Sequence, residues 1–412
     1  MIKPGKVKIM KTSPSRPFWW EREDLSYSED ALVFAGRNLE QLAHELGTPL
    51  FVYSAQRVKH NLLRIRNALG KTGLPFSLFY AMKANRFAPL LTFMKSTGLC
   101  GIDACSPEEV LHARSCGFDA SEISYTACSV SSPDLSVVLR QKGILVNCDS
   151  ISMIRKIGEA CPGMDIGIRL NPSMGVGYGS VAVLRYSGDK TSKFGIYAEQ
   201  LDEALETAKR YNLSVVRIHF HTGCGYLSSQ LEALSRIIGT CIDMARPIKT
   251  LKTVNLGGGL GLPHTSQDQP MDLDGWASVI SSHFKGTGLH VQVEPGDFIA
   301  KDGGVLLLSV NTVEKKKNTT FAGVNGGFNL AVEPFYYSLP CEPLVCRVRG
   351  QQQKPYSICG NINEALDVWM ENHPMPEIRE GDTLAMINAG GYAAAMSSNH
   401  CMRGIFRECL LP

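Results

Sequence analysis

From Phe76 onward the chain repeats one unit: a short apolar strand, an amphipathic helix, then another strand. Strand-like runs fall at Phe76–Met82, Gly101–Cys105, Glu122–Tyr125, Ile144–Cys148, Asp165–Leu170, Val215–Phe220, Thr253–Leu256 and His290–Val293. Helical patterns lie between them, clearest at Ala198–Tyr211 and Ser229–Ala245. Ala88–Lys95 also reads as a helix, closed by Gly98, and Pro107 suits the first position of a helix over Pro107–Cys116. Roughly eight such units in about 220 residues have the size and rhythm of a (β/α)8 barrel; the rival is an open doubly wound sheet. After Phe298 helix periodicity fades, and strand-like runs dominate at Val305–Val310, Leu344–Val348, Thr383–Asn388 and Gly404–Cys409. Tyr27–Phe34 is strand-like too. The expected organisation is α/β: an N-terminal segment 1–47 joining the β domain, a (β/α)8 barrel over 48–298, and a mostly β C-terminal domain over 299–412.

Composition narrows the function. The chain has 412 residues, 44% hydrophobic and 20% charged, ordinary for a globular protein. A net charge of +3 is too small to argue for nucleic acid or a membrane surface as partner. Lys315-Lys316-Lys317 reads as a solvated loop. The basic stretch Met1–Lys11 lacks the apolar segment of a secretory signal, and no run is apolar and long enough to span a bilayer. The 13 cysteines are odd in number and show no Cys-x-x-Cys or zinc spacing, so reduced thiols, a cytoplasmic location and no metal are expected.

In a parallel barrel the site forms at the C-terminal strand ends, and the unusual residues fall there repeatedly. Lys83 follows the first strand and Asp103 ends the second. Arg169 ends the fifth, and His219-Phe-His221-Thr-Gly223-Cys224 the sixth. Gly257-Gly258-Gly259 ends the seventh, and Glu294-Pro295-Gly296 the eighth. Each has a bland reading: a solvated lysine, a structural histidine pair, a tight glycine turn, a surface turn. All of them at one barrel end is harder to explain as packing. Together they suit pyridoxal 5'-phosphate. A partly desolvated Lys83, its pKa able to fall, can form a Schiff base with the aldehyde. The N–H groups of Gly257–Gly259 can cradle the phosphate. His221 can lie on the ring, and Glu294 can pair with the ring nitrogen and strengthen the electron sink.

These residues resemble the fold-type III pyridoxal-phosphate decarboxylases, the family of diaminopimelate, ornithine and carboxynorspermidine decarboxylases. The resemblance runs from about Thr48 to Arg403. It is carried by Tyr80-Ala-Met-Lys83-Ala-Asn85, Ser192-Lys-Phe-Gly195, His219-Phe-His221-Thr-Gly223, Gly257-Gly-Gly259 and Asn388-Ala-Gly-Gly-Tyr392 with Met396-Ser-Ser-Asn399, in family order. It implies a barrel plus a β domain and a head-to-tail homodimer with shared active sites. Tyr392 would reach the phosphate, and the substrate would be a small amino acid or a derivative of one.

Several positions depart from the family pattern. Glu-Pro-Gly-Arg is Glu294-Pro-Gly-Asp297, so a phosphate-neutralising arginine is missing and Asp297 must turn away or be offset by Lys301. Cys224 replaces a phosphate-binding serine. Asp-Gly-Gly is Asn325-Gly-Gly327. Arg-Pro-x-x-Tyr, which binds a distal carboxylate, is Glu333-Pro-Phe-Tyr-Tyr337. Gly-Pro-x-Cys-Glu-x-x-Asp is Gly360-Asn-Ile-Asn363-Glu364-Ala-Leu-Asp367, so the proton-donating cysteine contributed by the partner is Asn363; Cys359 lies four residues earlier. Asn325, Glu333, Tyr337 and Glu364 are the expected substrate contacts. With Glu333 facing the pocket, the far end of the substrate is expected to be cationic or neutral. The alternatives are a non-catalytic homologue, favoured by Asp297 and Asn363, and a racemase, disfavoured by a carboxylate rather than an arginine at the ring nitrogen.

Overall fold

A computed structural model describes residues 18–179, 181, 184, 185, 188, 190–350 and 352–412; the basic stretch Met1–Lys11 lies outside them. Eight parallel strands close into a ring: β1 (Phe76–Ala81), β2 (Gly101–Ala104), β3 (Ile123–Ala127), β4 (Leu145–Cys148), β5 (Asp165–Arg169), β6 (Ser214–His219), β7 (Thr253–Asn255) and β8 (His290–Val293). Each pairs with the next, and β8 returns to β1. Closure excludes the open doubly wound sheet.

The helices form because each carries one apolar stripe. Leu201–Arg210 buries Leu201, Ala204, Thr207 and Ala208, while Asp202 and Glu203 begin it and Lys209 and Arg210 end it, matching charge to the helix dipole. Pro107–Ser115 starts as expected: Pro107 opens it, and the Ser106 hydroxyl accepts the Glu109 N–H at 3.1 Å. Gly98 ends Ala88–Thr97 in the left-handed region at φ 62°, where a side chain is disfavoured.

The second domain is built from both ends of the chain. Its sheet runs Pro343–Val345, Thr383–Met386, Gly304–Lys316, Thr319–Val324, Lys354–Cys359, Val368–Met375. Leu50–Ser54 pairs antiparallel with Gly304–Lys316 and parallel with Arg407–Leu411. The expected barrel start at residue 48 is therefore corrected to Ala55. All five residues of Leu50–Ser54 are buried, so the run reads equally well as a barrel strand, and only its pairing assigns it to the β domain. The first element packed on the barrel is the helix Ala55–Gly70, which buries Val58, Leu62 and Ile65. The hairpin Leu25–Ser28/Ala31–Phe34 docks on the β domain, where Tyr27 donates to the Val345 carbonyl at 2.8 Å.

Asp302, at the junction, ties these parts together. Its carboxylate accepts Arg57 Nη2 at 2.5 Å and Asn61 Nδ2 at 2.7 Å from the first barrel helix, and Arg22 donates to its carbonyl at 2.6 Å. Burial raises its pKa, but Arg57 and Arg22 outweigh this and leave it below the usual carboxylate value. Asp302→Ala leaves Arg57 with Asp24, 4.0 Å away, in place of a close partner and should cost about 2 kcal/mol, read as a lower denaturant midpoint. Because the folded pKa is depressed, this contribution is whole above the unfolded carboxylate pKa and is lost as pH falls through the folded one. A variant as stable as wild type at neutral pH would contradict this.

Candidate active site

Strand register gathers the site. Ala81 on β1 is level with Asp103 on β2, so Lys83, just past the strand end, reaches Asp103: Nζ to Oδ2 is 3.1 Å. Asp103 is level with Ser124 on β3. Across the barrel His219, Asn255 and Gln292 are level, and Glu294 follows Gln292 on the same face.

Glu294 is the centre of this arrangement. It is 4% exposed and accepts three hydrogen bonds, from His219 Nε2 at 3.0 Å, Ser124 Oγ at 2.8 Å and Asn255 Nδ2 at 2.6 Å. Burial pushes its pKa up, but these contacts outweigh burial and hold it at about 2. Burial in turn keeps His219 below the ordinary histidine value. Its Nδ1 has no partner among the described residues, so we assign a neutral imidazole donating from Nε2. Sequence reasoning missed Ser124 and Asn255 as supports; the only available signal was a polar residue within an otherwise apolar run.

Lys83 departs from expectation. Burial lowers its pKa, but Asp103, the Cys105 thiol and Glu294 outweigh this, so the net shift is upward. Burial and the charge of Glu294 lift Asp103 to about 7, and the shared proton rests on Lys83. Before it meets an aldehyde, Lys83 is thus an ammonium held by a carboxylate, not a free amine.

At the glycine turn, Gly257 and Gly258 depart from expectation. The Gly257 N–H donates to Asn255 Oδ1 at 2.9 Å and the Gly258 N–H to His221 Nδ1 at 3.3 Å, so neither is free for a phosphate. These glycines are required by crowded backbone: a Cβ on Gly258 would lie 2.4 Å from the Glu294 carbonyl, and one on Gly259 2.0 Å from the Gly223 carbonyl. His221, which is half-buried, is kept neutral by burial and by the nearby charges of Arg169 and Lys83. Its Nε2 lies 3.9 Å from Cys224 Sγ. Arg169 is buried, paired with Asp149 at 2.8 Å, and its guanidinium sits 4.5 Å from the Phe194 ring centroid. Gly223 carries φ 135°, where a Cβ would lie 1.8 Å from the Val176 carbonyl.

Tyr392 enters from the β domain. Its N–H donates to the Ala84 carbonyl at 2.7 Å, and its hydroxyl borders Gly296, where a Cβ would lie 2.9 Å away. Behind its ring Lys301, fully buried, pairs with Asp297 at 2.9 Å and Glu333 at 2.7 Å; the ammonium lies 5.8 Å from the Tyr392 ring centroid. Asp297 is thus offset by Lys301. Glu333 is corrected as a substrate contact. It turns neither into the pocket nor to the surface but inward to Lys301, because a buried ammonium beside one carboxylate draws a second. Burial, with Asp297, lifts Glu333 to about 7 against the pull of Lys301.

Asn325 is also removed from the substrate set. Its amide donates to Thr48 Oγ1 at 2.8 Å and its oxygen accepts the Ser309 N–H at 2.8 Å, so both ends serve the β domain. Tyr337 stays near the mouth, its phenol pushed up by burial and by the neighbouring Glu333 and Cys224. Asn363 and Glu364 are exposed on a β-domain loop, with Glu364 3.5 Å from His400. Cys359 donates its thiol to the Ala322 carbonyl at 3.8 Å, inside the sheet.

The family model "Pyridoxal-dependent decarboxylase, pyridoxal binding domain" matches residues 55–301. The chain belongs to the pyridoxal-dependent decarboxylases. A diaminopimelate decarboxylase from Methanothermobacter thermautotrophicus is 34% identical over 386 residues, 90% of this chain and 88% of that relative. One from Streptomyces coelicolor is 29% identical, covering 97% and 91%. Among solved structures, diaminopimelate decarboxylase from M. jannaschii with L-lysine has a TM-score of 0.85 at 24% identity, covering 94% and 93%, which shows the shared fold.

The cofactor of this decarboxylase family is pyridoxal phosphate, and most of the site fits it. Lys83 suits the aldehyde, Glu294 the ring nitrogen and His221 the ring face. Asp103 Oδ1 and Thr222 Oγ1 are buried polar atoms without partners among the described residues. The phosphate end retains the Tyr392 hydroxyl beside Gly296.

Replacing Ser124 and Asn255 together by alanine removes two of three donors to Glu294. Its pKa should rise by about two pH units, at about one unit per charge-assisted bond. The acid limb of kcat/KM should then move up into the measurable range. An unmoved limb would show that these donors do not set the charge of Glu294.

Proposed function

We propose that this enzyme removes carbon dioxide from Cα of an amino acid or amino-acid-derived substrate, with Lys83, Glu294 and His221 as the residues that hold and tune the cofactor. The observation that carries this is the ionised Glu294 buried among three donors at the strand ends, in the same barrel mouth as Lys83. When bound, pyridoxal phosphate supplies the electron sink that stabilises charge at Cα.

The residues divide the work. Lys83 Nζ would hold the cofactor and, when free, carries the proton that Asp103 favours there. Glu294 would keep a proton on the ring nitrogen by charge pairing. Neutral His221 would serve the ring face, and Tyr392 the phosphate. An amide N–H is too weak an acid to act at neutral pH, so Asn363 does not return the proton to Cα. The Cys359 thiol is turned into the sheet. This reading assigns the returning proton to the Lys83 ammonium. A racemase would be served by a weak sink, and an ionised carboxylate at the ring nitrogen makes a strong one.

The enzyme is further proposed to be a homodimer that shares its sites. The Asp367 carboxylate accepts the Phe328 and Ile362 N–H groups, each at 2.8 Å, and folds the loop so that Asn363, Glu364 and Leu366 face outward. Leu366, Tyr336, Met402 and Ile405 are large apolar side chains more than half exposed on this domain, as suits a covered face.

Carbon dioxide release from an amino-acid panel by the purified, cofactor-loaded protein tests the reaction. Glu294→Gln should keep the cofactor and lose about a hundredfold or more in kcat; near-wild-type turnover would reject the assigned role. Lys83→Ala should lose the borohydride-reducible attachment, and an adduct at another lysine would displace Lys83.

Sedimentation should give a dimer at micromolar concentration. Mixing Lys83→Ala and Leu366→Asp chains should give less dimer than wild type. A monomer for the unmutated protein would overturn the shared-site proposal.

A further inference from the structure

The charges around the mouth do not balance. Three cations there already have carboxylates: Lys83 has Asp103, Arg169 has Asp149, and Lys301 has both Asp297 and Glu333. Glu294 stands beyond these as a further carboxylate, satisfied by neutral donors and His219. With the buried Arg217, whose charge acts on Glu294, five carboxylates thus face four cations among these described residues.

The excess is concentrated on one wall. Asp297, Lys301 and Glu333 form a closed triad, two carboxylates on one ammonium, with Asp297 6% and Glu333 9% exposed and Lys301 fully buried. The triad stands directly behind the residues that line the site rather than in a remote core. Lys301 backs the Tyr392 ring, and the Tyr392 hydroxyl touches the Gly296 turn. Asp297 is the next residue of that turn. On the other flank Tyr337 lies between Glu333 and Cys224, and Cys224 lies 3.9 Å from His221. His264, close by, is neutral: burial and Lys301 hold it at about 4. Lys301 is fully buried and ion-paired with both acids, so its ammonium does not reach the mouth as a donor to an incoming anion.

We propose that the Asp297–Lys301–Glu333 triad is the specificity wall of this site and that it admits only substrates with a single carboxylate, the one on Cα, and with a neutral or cationic far end. This rests on the decarboxylase reading for the placement of Cα. Lys301 acts as a positioning residue: it keeps both carboxylates turned inward and closed to the ligand. A second carboxylate would have to approach a desolvated wall that holds two acids and no uncommitted cation, so its lost hydration is not repaid. The wall therefore works by rejection as much as by attraction.

The triad makes a prediction that Glu333 alone does not. Glu333→Arg leaves Asp297 to capture the new guanidinium and Lys301 to repel it, so this single change should not admit a dicarboxylic substrate. The combined Asp297→Arg, Lys301→Ala, Glu333→Arg variant should.

The test compares norleucine, lysine, aminopimelate and diaminopimelate, which differ chiefly at the far end. Binding to the cofactor-loaded enzyme is read from the cofactor's absorbance change, and turnover from carbon dioxide release. Norleucine and lysine should bind about a hundredfold more tightly than the two dicarboxylates. The triple variant should narrow or reverse that order, and the single variant should keep it. Dicarboxylates binding wild-type enzyme as tightly as norleucine would overturn the wall, and so would a single variant that accepts them as well as the triple one. Should the triple variant fail to fold, the wild-type series decides alone. If the binding order holds but nothing releases carbon dioxide, the triad stands and the decarboxylase reading falls.

Discussion

A buried carboxylate that must stay charged is the constraint around which this barrel is organised. Glu294 sits where burial would protonate it, and only directed donors prevent that. Those donors come from β3, β6 and β7, while Glu294 itself follows β8. One ionised group therefore depends on the register of four strands. A slip of one residue in any of them would turn a donor outward.

The same logic, with a cation at its centre, appears where the two domains meet. Lys301 has no solvent and needs both Asp297 and Glu333; neither acid is tolerable there without it. Loss of Lys301 would leave two buried acids without a cation. Asp297 and Glu333 look like two unrelated departures from a family pattern when read along the chain. In space they are one substitution with three parts.

Much of the architecture was legible because it rests on periodicity. All eight barrel strands were visible as apolar runs between helical patterns, and Lys83, His221 and Glu294 stood out because strand ends are where such residues gather. What was hidden depends on depth or partnership. Ser124 and Asn255 are ordinary polar residues inside strands, and nothing local says that they point at a carboxylate. Asn325 carries a motif position, but both ends of its amide are consumed by Thr48 and Ser309. Glu333 begins a four-residue helix whose direction is set by Lys301 rather than by its own sequence. The strand Leu50–Ser54 is buried throughout, so periodicity could not say which domain owned it.

That strand has a consequence for how the molecule comes into being. Leu50–Ser54 lies between Gly304–Lys316 and Arg407–Leu411, so its two hydrogen-bonded neighbours are made long after it. A chain growing from its N-terminus completes the barrel while this apolar segment still has both edges open. The final pairing waits until Arg407–Leu411 has been made and closes a loop of more than 350 residues, a slow and entropically costly contact. Until then the nascent protein displays an aggregation-prone edge beside a finished barrel. Loss of Arg407–Leu411 would leave that edge permanently exposed, far in sequence from the damage.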